Sequence, residues 1–296
     1  MYLIVGATGR LGSELCTLLS STKKPFRALV RHSSKPDVVE SIKKIGGEIM
    51  FGDLKNEASL IQACTGISTV ISTASSLLSH HLGDSISSVD LEGHKSLIRS
   101  ALQTGVKKFI YISLSQHHKT DCALTAAKRA VEKYLIKSKL NYTIIRPAAY
   151  MEFWLNPSCG FDFNRNKATI FGSGKSKISF ISIKDVARFV TLTLENPNAS
   201  NTILEIGGPN AVSYLDAVNY FEKVTGKIFR VRKIGEDTLI FQKKFSSNPF
   251  SDSIVSHRMD LLAGDEIDMR KTMSQYPINL TSFQDYATTI LNKKTA

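Results

Sequence analysis

The sequence predicts an α/β protein: a doubly wound parallel sheet with a smaller C-terminal α+β part. Three observations carry this. Short apolar runs alternate with stretches of helical periodicity through the first half, the pattern of βαβ units. The opening run leads directly into Val5-Gly6-Ala7-Thr8-Gly9-Arg10-Leu11-Gly12, three glycines at regular spacing. After Pro147 the alternation gives way to glycines and irregular segments.

The elements follow in order. Tyr2 to Val5 reads as a first strand, and Leu11, Leu15, Leu18 and Leu19 share one face of the helix behind it. Phe26 to Val30, Glu48 to Phe51 (entered through Gly46-Gly47) and Thr69 to Ser72 read as the next three strands. A helix carrying Leu91, Leu97, Ile98, Ala101 and Leu102 ends at Gly105, a residue suited to a helix C-terminus. Phe109 to Ser113 is a fifth strand, and Ala127, Ala130, Val131, Tyr134 and Leu135 mark the helix after it. Tyr142 to Ile145 is a sixth strand, closed by Arg146-Pro147. Residues 152–179 read as loop-rich; a strand–helix unit returns over 180–194, Leu204 to Ile206 is a strand, and Ile228 to Val231 is a short one in the tail. The expected division is a nucleotide-binding part over 1–155, with 177–210 returning to it, and a smaller substrate-facing part over 156–176 and 211–296.

Composition narrows the class. A hydrophobic fraction of 42% over 296 residues supports a full core. No apolar run approaches the roughly 18 residues of a membrane span, and the chain enters its first strand without a basic-then-apolar leader, so no secretory signal is expected. Cys16, Cys64, Cys122 and Cys159 are scattered, which predicts reduced thiols and a cytoplasmic protein. The formal charge of +12 comes from basic residues spread along the chain, a solvated surface rather than a nucleic-acid footprint. His80-His81 and His117-His118 lack partners at ligand spacing, so no metal is expected; the second pair follows the fifth strand and has a weak claim to face substrate. There is no G-x-S-x-G elbow to suggest a hydrolase.

In a strand–turn–helix, such glycines allow a tight turn and let backbone approach a pyrophosphate at the helix N-terminus. The turn therefore predicts a Rossmann-type dinucleotide site, with Gly6, Thr8, Gly9, Arg10, Leu11 and Gly12 around it. The second strand ends in Arg31-His32-Ser33-Ser34-Lys35. A carboxylate there would repel a 2′-phosphate, whereas a guanidinium favours it. Arg31, with Ser33 and Arg10 or Lys35, thus predicts NADP(H) over NAD(H). Asp53 and Leu54 follow the third strand, where Asp53 suits either an adenine amino group or the cap of the next helix. Thr73 and Ala74, small residues after the fourth strand, suit close approach of a cofactor. Tyr150, Phe153 and Trp154 form an aromatic group that is either core or the wall of a flat, apolar substrate pocket.

VGATGRLG, LVR at 29–31, GDL at 52–54, VDLEGHKSLIRSALQTGVKKFIYIS at 89–113, YTIIRPAAYMEF at 142–153 and FISIKDVARFV at 180–190 together resemble atypical short-chain dehydrogenases/reductases of the NmrA-like and isoflavone-reductase-like branch. The likeness spans roughly two-thirds of the chain. It implies a Rossmann-type domain, NAD(P) binding, and Pro147 and Tyr150 on a segment lining the nicotinamide pocket. Many short-chain reductases use Ser with Tyr-x-x-x-Lys, whose lysine charge lowers the tyrosine pKa. Here Lys128 stands at the lysine position and Ser113 at the serine, but Leu124 replaces the tyrosine. Isoflavone-reductase-like members share that lack, which leaves Lys128, Ser113 and Tyr150 as the catalytic candidates. The resemblance implies either a reductase passing hydride from NADPH to a small conjugated acceptor, such as a quinone or unsaturated carbonyl compound, or a non-catalytic dinucleotide-sensing regulator or assembly factor with a protein partner.

Overall fold

The computed structural model describes residues 1–77, 79 and 81–292. In chain order the first half runs β1 (Tyr2–Val5), α1 (Arg10–Ser21), β2 (Phe26–Val30), α2 (Pro36–Lys44), β3 (Glu48–Phe51), α3 (Glu57–Cys64), β4 (Thr69–Ser72), α4 (His94–Gln103), β5 (Lys108–Ile112), α5 (Ala123–Lys137) and β6 (Asn141–Pro147). Then come α6 (Met151–Trp154), β7 (Phe161–Asp162), β8 (Lys167–Phe171), α7 (Ile183–Thr193), β9 (Thr202–Ile206), α8 (Tyr214–Thr225), β10 (Arg230–Ile234), α9 (Glu236–Lys244), α10 (Pro249–Ala263), α11 (Arg270–Gln275) and α12 (Phe283–Asn292).

Seven strands form one sheet in the order β3-β2-β1-β4-β5-β6-β9, and the neighbouring pairs from β3 to β6 are parallel. The strand order reverses direction between β1 and β4, so the carboxyl ends of these two strands part and open a crevice, the usual place for a ligand in such sheets. β4 and β5 are buried along their whole length, as strands covered on both faces are.

By internal packing the chain forms two compact units. One comprises Met1–Ser113, Ala123–Ile145 and Val186–Leu204; the other comprises Leu114–Cys122, Arg146–Asp185 and Glu205–Ala296. These bounds stand beside the expected boundary at 155 and return over 177–210. The core of the first unit joins Leu3, Val5, Val70, Leu97, Phe109, Tyr111, Val131 and Ile144. The second unit has a three-stranded sheet, β10-β8-β7, and an aromatic core in which Phe161, Phe221 and Phe229 lie with ring centroids 5.6 to 6.1 Å apart.

The loop-rich reading of 152–179 missed β7 and β8. β8 is held by β10, about sixty residues downstream, a pairing that no local pattern announces. β10 itself begins at Arg230 rather than Ile228, which is 88% exposed. The helix before Gly105 is also two elements: Ile86–Gly93 is a π-helix, whose wider turn then tightens into α4. Trp154 is a buried core side chain of the second unit, with Phe153 packed edge-on against it at 5.0 Å. None of the four cysteines forms a disulfide, and burial pushes the thiols of Cys16 and Cys64 up to about 12. No described helix is long and apolar enough to cross a membrane.

Candidate active site

The glycine turn sits at the reversal point. Gly6 has a φ of +86°, a backbone conformation that L side chains rarely adopt. A Cβ there would lie 2.8 Å from the Ala74 backbone nitrogen and from Thr73 Oγ1. Gly9 N–H donates to the Gly6 carbonyl at 3.0 Å and closes the turn. Gly12 does a different job: a Cβ on it would meet the Gly6 carbonyl oxygen at 2.1 Å, so only glycine lets α1 start this close to the turn. No described side chain caps the first turn of α1, and a helix N-terminus is the end that attracts an anion.

Beside the turn lies a cavity of about 470 Å³ formed entirely by the first unit. Of the expected cofactor residues, Gly6, Thr8, Gly9, Arg31, Asp53, Leu54, Thr73 and Ala74 line it. Arg10 and Leu11, at the start of α1, and the packed Gly12 do not. Ser34 lines the cavity in place of the expected Ser33, and its hydroxyl accepts the Arg31 backbone N–H at 3.1 Å. Of the two readings of Asp53, the structure removes the helix cap. Asn56, not Asp53, caps α3, while Asp53 accepts the Lys55 backbone N–H at 2.8 Å and faces the cavity. His81, Ser79 and Asp84 line it too; His80 lies outside the described residues.

A second constellation is fully buried. Lys128, on the inner face of α5 with Leu124 and Val131, is 4% exposed. Its ammonium donates to the Ile112 carbonyl at 3.2 Å, lies 3.8 Å from Asp90 Oδ1 and stands 5.0 Å above the Tyr111 ring. Burial pulls its pKa down, with the charges of Asp90 and Glu132 opposing that. Asp90 Oδ2 accepts the Ser76 hydroxyl and backbone N–H, while Oδ1 has no hydrogen-bond partner. Next to it His94 bridges the Val89 carbonyl and Ser72 Oγ, each at 2.9 Å, and burial holds its imidazole neutral down to about 4. The Ser113 hydroxyl, at the end of β5, is buried without a hydrogen-bond partner. Such orphaned buried groups in a native site ask for an explanation, and a bound ligand is one.

Pro147 and Tyr150 belong to the second unit. The Tyr150 phenol is pushed above its ordinary value by burial and then by the Glu152 charge, which makes it a weaker proton donor. His118 is buried there, 3.2 Å from Asp260, which also accepts the Thr120 hydroxyl and the backbone N–H groups of Lys119 and Thr120. Among the described residues no group of metal-ligating side chains gathers.

The polar members of these clusters that the sequence reading passed over are Asp84, Lys55, Ser79, Asp90 and His94. Asp90 and His94 stand inside the stretch VDLEGH that carried the family resemblance; their signal was polarity in an otherwise apolar helical face. Nothing local marks Asp84.

Fold and site together define a Rossmann-type doubly wound α/β protein with a glycine-turn cavity at its reversal point. The chain belongs to the NmrA-like family, whose model matches residues 2–269. It is 30% identical over 264 residues to the probable pinoresinol-lariciresinol reductase 3 of Arabidopsis thaliana, covering 85% of this chain and 81% of that one. It is 28% identical over 233 residues to the photosystem II assembly factor Ycf39 of Cyanophora paradoxa, covering 78% and 71%. The fold is shared with the NADPH-dependent quinone oxidoreductase of Escherichia coli solved with NADPH, at a TM-score of 0.79 and 21% identity over 98% of this chain and all of that one.

Proposed function

We propose that this protein binds NADP(H) and passes hydride from NADPH to a small conjugated acceptor, a quinone or an unsaturated carbonyl compound. The observation that carries the reading is the Gly6 turn: a left-handed glycine with no room for a Cβ, opening on a cavity that holds Arg31. The donor set suits the group, because the N–H groups of a helix N-terminus meet a pyrophosphate and a guanidinium meets a 2′-phosphate. When bound, the cofactor supplies the hydride. The chain does the rest. The turn and Thr73-Ala74 bring backbone close, and Lys128 holds a ribose or moves a proton at Nζ. Burial lowers the Lys128 pKa, which makes its ammonium a readier proton donor than a solvated lysine. The Ser113 hydroxyl is available to polarise the acceptor.

A second reading has its own support. Leu124, 1% exposed, occupies the place of the usual tyrosine, and one of the relatives above is named as an assembly factor. In that reading the protein holds the dinucleotide, does not turn it over, and acts through a protein partner. Titration with NADPH and NADH by nicotinamide fluorescence, followed by steady-state NADPH oxidation with a panel of quinones, separates the two. Tight NADPH binding with turnover supports the reductase; binding without turnover on any acceptor supports the second reading. Absence of binding at sub-millimolar cofactor removes both.

A further inference from the structure

Arg31 already carries an anion. Its Nη1 donates to Asp84 Oδ2 at 2.6 Å, Lys55 Nζ is bonded to Asp84 Oδ1, and the Ser79 hydroxyl donates to Oδ2. The Asp84 side chain is 2% exposed, against 35% for Arg31 and 30% for Lys55. Two cations and a hydroxyl on one set of oxygens is the arrangement that a phosphate group attracts. Asp53 is paired to Lys55 at 3.2 Å, so the four charges of this cluster, of which Arg31, Asp53 and Asp84 line the cavity, sum to zero.

We propose that Asp84 is a built-in competitor for the 2′-phosphate, an internal carboxylate seated on the Arg31, Lys55 and Ser79 donors that sets how strongly the site prefers a 2′-phosphorylated nucleotide. The proposal rests on the NADP(H) reading above and refines it. A 2′-phosphate beside Arg31 meets Asp84 at like charge and must take the guanidinium from it. A nucleotide with a free 2′-hydroxyl meets no such opposition, because that hydroxyl can donate to the carboxylate as it stands. Arg31 alone therefore overstates the preference, and Asp84 narrows it. Protonation does not relieve the competition: burial opposes the charge, but the Lys55, Ser79 and Arg31 hydrogen bonds overcome it and hold Asp84 at about 2.

The test uses the full chain and two pairs of probes that differ chiefly in the 2′-phosphate: 2′,5′-ADP against 5′-AMP by calorimetry, and NADPH against NADH by fluorescence. Asp84→Asn keeps the shape and removes the charge; Asp84→Ala is the second variant should the amide disturb folding, which thermal unfolding reports. The expected result for either is 2′,5′-ADP and NADPH bound about tenfold more tightly, with 5′-AMP and NADH unchanged or weaker. Unchanged or weaker binding of the 2′-phosphorylated probes overturns the proposal. Arg31→Ala separates that failure from failure of the parent reading. If it weakens NADPH while the Asp84 variants leave it unchanged, NADP(H) binding stands and the competitor falls. If no form of the protein binds either probe pair, both fall; if only the Asp84 variants bind, the competitor is stronger than stated and the proposal holds.

Discussion

Two clusters of the first unit set a cation against a buried aspartate, and they do so under opposite conditions. At the cavity, Arg31 and Asp84 are 2.6 Å apart with the guanidinium 35% exposed, so water can take up whatever the pair releases. In the interior, Lys128 and Asp90 are 3.8 Å apart with 5% and 0% of their side chains exposed, and Asp90 Oδ1 lacks a hydrogen bond. A charge pair at the solvent edge is exchangeable at modest cost, whereas a buried pair is expensive to break from one side because the surviving charge stays desolvated. The difference teaches which pair can trade partners with a ligand. On the proposed reading, the Arg31 end is the one able to exchange its partner for a ligand, while the Lys128 pair stays desolvated. The π-helix Ile86–Gly93 links them, with Asp84 just before its Ser85 cap and Asp90 in its last turn.

The largest effect expected from this contrast is at the interior pair. Lys128→Met strands Asp90 and is expected to cost about 3–5 kcal/mol in urea unfolding, with Asp90→Asn in the same chain recovering much of the loss. A loss below about 1 kcal/mol would place Lys128 with the exchangeable pairs.

The next is pH. His94 and His257 are held neutral in the fold, with pKa values near 4 caused first by burial, while the unfolded chain titrates near 6.5. Between those values the unfolded state binds more protons, so this stability is present above about pH 6.5 and is lost as pH falls toward 4. The slope is about 1.4 kcal/mol per unit for each histidine. Urea midpoints from pH 7 to 4.5 for wild type and His94→Gln check this: the variant should show a flatter profile, and parallel profiles would break the assignment.

At the cavity, Arg31→Ala should lower the NADPH-to-NADH affinity ratio by about 10- to 100-fold through lost charge-assisted bonds, with a smaller loss of stability than Lys128→Met because Lys55 and Ser79 still hold Asp84. A large fall in stability would erase the contrast between the two ends. The smallest effect tests the link. Ser85 accepts the Ser88 N–H at 2.9 Å in a reciprocal cap, so Ser85→Ala should cost about 1 kcal/mol. If the π-helix couples the clusters, that variant also alters 2′,5′-ADP affinity; an unaltered affinity makes the two ends independent.

Much of this was legible locally. The strand–turn–helix at Gly6, the four strands through Ser72 and the Arg31 strand end all follow from period, glycine placement and residue type, because a βα unit is built from contacts near in sequence. Lys128 was legible as a candidate and not as a buried one, since burial depends on what covers α5. Tertiary structure alone decided the rest. Asp84 meets Arg31 across fifty-three residues and Asp90 meets Lys128 across thirty-eight, separations over which no hydrophobic period carries information. The order of residues along the chain determined a parallel sheet with a glycine turn after β1. Which carboxylate faces which cation there was settled by folding, because charge pairing depends on distance and dielectric, and both exist only once the chain is packed.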